Sequence, residues 1–150
     1  MICYGVIDTN VVVSALLSNH ADAATVQLIG RLIGGEIVPV FSSEIMREYR
    51  EVLSRKKFNL DSDIINYILS TVEKYGVLVE PLATGVILPD MKDLPFYEVV
   101  MEKRDDDAYL VTGNLKHFPT EPFIVTPRQM LDILDGKNSR RKAKEPIGTE

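Results

Sequence analysis

The sequence holds a single cysteine, Cys3, so no disulfide can form within the chain, which suits a reducing compartment. Two histidines, His20 and His117, are too few to complete a structural zinc site with it. Any metal would have to be bound by carboxylates. No apolar run approaches the roughly 18 to 20 residues needed to cross a bilayer. The N-terminus also lacks the basic region that precedes the apolar core of a secretory leader. A cytoplasmic protein without a membrane partner is the expectation. There is no Gly-x-Ser-x-Gly and no glycine-rich phosphate loop, Cys3 sits early in a strand, and neither histidine has an obvious partner motif. Nucleophilic chemistry is poorly served.

What is present is an ordinary globular composition over 150 residues, 45% hydrophobic and 26% charged, enough to bury one core. Charge is unevenly spread. Residues 137–150 carry Lys137, Arg140, Arg141, Lys142 and Lys144 against Glu145 and Glu150, a net of +3, whereas the other 136 residues sum to −8. We read residues 1–136 as a single domain and 137–150 as a basic, disordered tail. The tail is either a solvated terminus or a hold on a phosphate backbone or an acidic partner.

The chain is organised around Val6-Ile7-Asp8-Thr9-Asn10. A short apolar strand stops at an acid, and two small polar residues follow that can cap a helix or orient the carboxylate. In an open α/β sheet, ligands gather at the carboxyl ends of strands. Helices are expected over 9–18 and 23–33, then a strand over 36–41 in which Pro39 favours an edge position or a bend. Ser42-Ser43 caps a third helix. On it Ile45, Tyr49, Val52 and Leu53 form an apolar face, and at about 100° per residue Glu48 falls on the border of that stripe. An acid there can reach a cleft while its stem stays packed, although a plain solvated glutamate fits as well. A fourth helix runs to Gly76, and a third strand covers 77–80. Residues 82–92 look irregular, with a brief strand possible over 85–88.

Asp93 suits the N-cap of a helix from Leu94 to about Lys103, a place that also fixes a carboxylate's orientation. Asp105-Asp106-Asp107 reads as a solvated turn, because adjacent side chains point different ways. Ala108 to Thr112 is the clearest buried strand and closes on Gly113-Asn114. Phe123-Ile124-Val125 is a last strand, and Thr126-Pro127-Arg128-Gln129 a capping box opening a last helix. Helices alternating with short apolar strands specify α/β with a central, mostly parallel sheet. Strands ending at Asp8 and Asn114 would open on the same edge. Clustered acids repel one another, so Asp8, Glu48, Asp93 and Asp90 together require a cation. Oxygen ligands favour Mg²⁺ or Mn²⁺, which is the chemistry of metal-dependent phosphodiester hydrolysis.

Five segments in order carry a resemblance: Val6 to Leu17, Glu44 to Phe58, Asp90 to Phe96, Tyr109 to Asn114 and Val125-Thr126-Pro127. Through them the chain resembles PIN domains, of the branch known as toxins of bacterial and archaeal toxin–antitoxin pairs (VapC-like). The resemblance implies a three-layer α/β/α sandwich and single-stranded RNA as substrate. It implies Asp8, Glu48 and Asp93 as catalytic acids that hold Mg²⁺ or Mn²⁺. Asp90 is a further metal ligand by the same likeness, and Asn114 stands where many relatives carry a fourth acid. Asparagine offers a carbonyl oxygen without charge, which should weaken metal binding. Asn10 and Thr112 are expected to orient Asp8. A homodimer and a cognate antitoxin protein are implied as partners. The rival reading is a PIN fold acting as an RNA-binding or protein-interaction module with a weakened active site. A phosphatase fits less well, since Asp8-Thr9-Asn10 lacks a second aspartate two residues after the first.

Overall fold

The structure is a computed structural model and describes residues 2–136. The basic tail lies outside the described residues. The first strand, β1 (Tyr4–Ile7), runs straight into α1 (Thr9–Leu17), with Asp8 as the only residue between them. Then come α2 (Ala24–Ile33), β2 (Val38–Phe41), α3 (Ser43–Leu53), α4 (Ser62–Tyr75) and β3 (Val77–Leu78). A loop leads to a 3-10 turn at Met91–Asp93, then α5 (Leu94–Glu102), β4 (Tyr109–Val111) and β5 (Ile124–Val125). A helix over 127–136, α6, ends the described chain.

The five strands lie in the order β3-β2-β1-β4-β5, and every pairing is parallel. Helices cover the sheet to give a three-layer α/β/α sandwich. Parallel strands buried on both faces read as apolar runs rather than alternations. Here Val6, Leu110 and Val111 are fully buried, as are Val99 and Val100 of α5, which packs against β1 and β4. After β1 the chain builds outward through β2 and β3, then returns to the other side of β1 for β4 and β5. The reversal falls between β1 and β4, the place in a doubly wound sheet where a crevice opens at the carboxyl ends. Asp8 follows β1 there, and Thr112 to Asn114 follow β4.

Local signals account for the element ends. The Ser42 hydroxyl accepts the Ile45 N–H at 3.1 Å and caps α3. Thr126 and Gln129 exchange bonds, each N–H donating to the other's side chain, at 2.9 and 3.1 Å, which opens α6. Arg104–Asp106 forms a solvated turn, as expected, with Lys103 paired to Asp106 at 2.9 Å.

Four expectations are corrected. Pro39 does not mark an edge, since β2 lies between β3 and β1. Val38 donates to Cys3, just before β1, and Phe41 accepts from Val79 beyond β3, so along the pleat Pro39 faces the β3 side. Pairing with β3 starts only at Val40, and the missing N–H therefore has no ladder partner to lose. Residues 85–88 form no strand, and β3 stops at Leu78 rather than continuing through Glu80. Asp93 makes no capping bond to α5; its backbone is already helical (φ −83°, ψ −10°), because the 3-10 turn runs directly into the helix. Asp90 caps that turn instead, accepting the Lys92 N–H at 3.0 Å. The Asp93 carboxylate is thereby left free to point elsewhere.

Candidate active site

At the crevice between β1 and β4, a pocket of about 500 Å³ is lined by Asp8, Glu48 and Asp93, with Asp90, Asn114 and His117 also on its wall. The acids arrive from three elements far apart in sequence. Each is held by a neighbouring side chain, and for Glu48 and Asp93 local pattern does not announce that neighbour.

Asp8 is 4% exposed. Its N–H donates to Val111 across the sheet at 2.9 Å, which fixes its backbone at the end of β1. Its Oδ2 accepts from the Thr112 hydroxyl at 2.8 Å and from Asn10 Nδ2 at 3.3 Å. Asn10 Oδ1 in turn accepts the Gly113 N–H at 3.3 Å, so Asn10 ties the start of α1 to the end of β4. Burial pushes the Asp8 carboxyl up to about 6, against the pull of the Thr112 bond and with the charges of Asp93 and Glu48 adding to the rise.

Glu48 projects half-buried from α3 and accepts from the Thr9 hydroxyl at 2.5 Å. Burial again leads in raising its carboxyl, opposed by Thr9 and aided by Asp93, Glu51 and Glu44. The neighbouring Tyr49 is buried, and its hydroxyl donates to the Ile7 carbonyl at 2.5 Å. Its ring meets Phe96 of α5 at 6.3 Å between centroids. One turn of α3 is thus pinned both to the end of β1 and to α5, and Glu48 is carried with it. The two small polar residues after Asp8 divide the work: Asn10 bonds Asp8, and Thr9 bonds Glu48.

Asp93 has its Oδ2 3.0 Å from His117 Nδ1. Burial raises its carboxyl, His117 lowers it, and Asp90 raises it. Asp90 is exposed and engaged as a turn cap; Asn114 is exposed, and its N–H donates to the Thr112 hydroxyl at 3.0 Å. Sequence reasoning missed His117 and Thr9 as site residues. The Asp93–His117 contact spans 24 residues and the Thr9–Glu48 contact 39, and no periodicity encodes either.

Among the described residues, no three His, Cys, Asp or Glu side chains form a group that could hold a metal ion. The donor chemistry nonetheless fits a hard cation. All three acids are raised toward the protonated form, chiefly by burial and in each case also by a neighbouring acid, and a divalent ion relieves that repulsion. Mg²⁺ keeps several waters and is commonly bound through only one or two carboxylates.

A sequence model of the PIN domain matches residues 5–116, most of the chain and all of the segments that supply these acids. No curated protein and no solved structure matches the chain.

Proposed function

The chain belongs to the PIN domain family, whose fold is of nuclease type, and from that premise we propose that it is a metal-dependent endoribonuclease that hydrolyses single-stranded RNA, acting as the toxin of a toxin–antitoxin pair. The observation that carries this reading is the meeting of Asp8, Glu48 and Asp93 in one pocket at the sheet's reversal, where each carboxyl is raised. Mg²⁺ or Mn²⁺ would be held by these three, directly or through water, with Asp90 and Asn114 at the margin. The ion supplies charge to polarise the scissile phosphate and to activate water.

The chain's own groups do the rest. Thr112 and Asn10 fix the orientation of Asp8, and Thr9 fixes that of Glu48. Such support limits the motion of ligating or proton-accepting oxygens and preserves a reactive geometry. Glu48 is less buried than Asp8 and stands on the open wall, so it is the acid placed to take a proton from an attacking water. His117 restrains Asp93 from the opposite side.

A homodimer, an antitoxin and a cytoplasmic location belong to the same proposal. An apolar groove lined by the exposed Ile33, Ile64 and Tyr67 supports a protein partner. No helix among the described residues is long and apolar enough to cross a membrane.

The test is cleavage of a mixed single-stranded RNA with Mg²⁺, with Mn²⁺ and with EDTA, beside Asp8→Asn. Metal-dependent cutting that the variant loses is the expected result. Cutting that survives Asp8→Asn or EDTA overturns the assignment. Asn114, uncharged on the pocket wall, favours a second reading in which the site binds RNA and turns over little. RNA bound without cleavage selects it, and Asn114→Asp then becomes the informative variant.

A further inference from the structure

The acidic pocket has a second charge arrangement on its rim, made of Glu51, Arg55 and Lys92. Arg55, just beyond the end of α3, turns its fork back onto Glu51 four residues earlier, with Nε donating to Oε2 at 2.9 Å and Nη2 to Oε1 at 3.1 Å. The Glu51 carboxyl is lowered by these bonds first, and the charge of Lys92, from the turn that leads to Asp93, adds to the effect. Arg55 is thus paired with Glu51, and Lys92 lines the same pocket beside them.

Three features make this an anion receptor filled by the chain's own acid. A guanidinium fork matches a phosphate as well as a carboxylate. The pair is open to solvent, with side chains 47% and 61% exposed, and ion pairs of that kind hold weakly enough to exchange. The location is also unusual in charge. Residues 47–57 hold Arg47, Arg50, Arg55, Lys56 and Lys57 against Glu48 and Glu51, a net of +3 within a body of −8. Of this basic segment, Arg55 lines the pocket itself.

We propose that Arg55 and Lys92 form a phosphate subsite beside the catalytic acids, taking a phosphodiester of the bound RNA next to the scissile one, and that Glu51 is the internal carboxylate this phosphate displaces. The proposal rests on the nuclease reading, since it names how the same substrate is held. Its distinctive consequence is that removing an acid strengthens binding through one particular arginine.

The experiment is fluorescence anisotropy of the full chain with a labelled single-stranded RNA 12-mer, with Ca²⁺ in place of Mg²⁺, across a salt series. Arg55→Gln and Lys92→Gln should each weaken binding by about fivefold at low salt and reduce the slope of log affinity against log salt by about 0.7. Glu51→Gln should tighten binding by about threefold, and the gain should vanish when Arg55→Gln is also present. Unchanged affinity and slope in Arg55→Gln and Lys92→Gln overturn the subsite. So does a Glu51→Gln gain that persists without Arg55, since it would reflect general charge, and so does a wild-type chain that binds no RNA. Hydrolysis of bis-p-nitrophenyl phosphate by the wild type with Mn²⁺ decides the nuclease reading separately, because that diester has no second phosphate. RNA held through Arg55 and Lys92 without diester hydrolysis leaves the subsite standing and removes the reaction.

Discussion

Burial and two neighbouring acids make the Asp8 carboxylate harder to ionise in the folded chain than in the unfolded one. The native state therefore binds this proton more tightly. The stability it contributes is complete below the ordinary value of 3.8 and is lost as pH rises to about 6. A shift of that size corresponds to about 3 kcal/mol for one group. Glu48 and Asp93, raised for the same leading reason, act in the same direction. Asp8→Asn removes the charge at nearly constant volume. In EDTA it should stabilise the chain by about 1 to 3 kcal/mol at neutral pH, with the gain fading toward pH 4. Urea denaturation of both chains at the two pH values measures this. A variant less stable than wild type at neutral pH would mean that the bonds from Thr112 and Asn10 outweigh the cost of burying the charge. Added Mg²⁺ should raise the wild type's midpoint and leave that of the variant unchanged, because an ion that binds only the native state stabilises it by mass action.

Elements hold these residues in place through a few long-range contacts. Tyr49→Phe deletes the hydroxyl that joins α3 to the Ile7 carbonyl beside Asp8. A loss of about 1 to 2 kcal/mol is expected, along with slower RNA cleavage, since Glu48 is positioned by the same turn. An unchanged urea midpoint would show that the ring packing against Phe96 anchors α3 unaided. Gly76 lies where α4 meets β2, and a Cβ there would stand 2.4 Å from the Val72 carbonyl oxygen and 2.6 Å from that of Pro39. Both are backbone atoms with little room to retreat. Gly76→Ala should therefore destabilise by about 2 to 3 kcal/mol, read in thermal or urea unfolding. The helices and their order were legible from sequence, because the apolar periodicity of α3 and α4, the Ser42 cap and the Thr126–Gln129 box are all local. Position in the sheet was not. Pro39 read as an edge residue because the chain does not announce that β3 pairs only from Val40 onward. Asp93 read as a cap because a 3-10 turn capped by Asp90 cannot be told from a helix start by composition. Asp8 was singled out by its place at a strand end, Glu48 by a stripe border and Asp93 by a helix start, whereas His117 and Thr9 entered only when folding brought them to Asp93 and Glu48.

For the whole molecule, the decisive quantity is charge against topology. The sheet reverses between β1 and β4 and opens one crevice, and the acids gathered there lie in a body that totals −8. An RNA strand, the proposed substrate, would approach this body against a net repulsion that extends over about a Debye length, roughly 10 Å at 0.1 M salt. The residues after Gly136 carry a net of +3, as large an offset to that field as residues 47–57 supply. Among the described residues, in contrast, the buried core runs from Cys3 to Leu134, and the five strands lie within it. Ending the chain at Gly136 should therefore leave the melting temperature within about 3 °C of the full chain, since every core side chain among the described residues is kept. RNA affinity should fall at low salt, and the difference between the two chains should close as salt screens the lost charge. Melting curves and an anisotropy salt series on the two chains test both halves. A large drop in melting temperature would show that the tail packs on the domain. An affinity loss that persists at high salt would show that its contacts with RNA are more than electrostatic. An unchanged affinity would leave the strip around Arg55 and Lys92 as the place where the strand is drawn in.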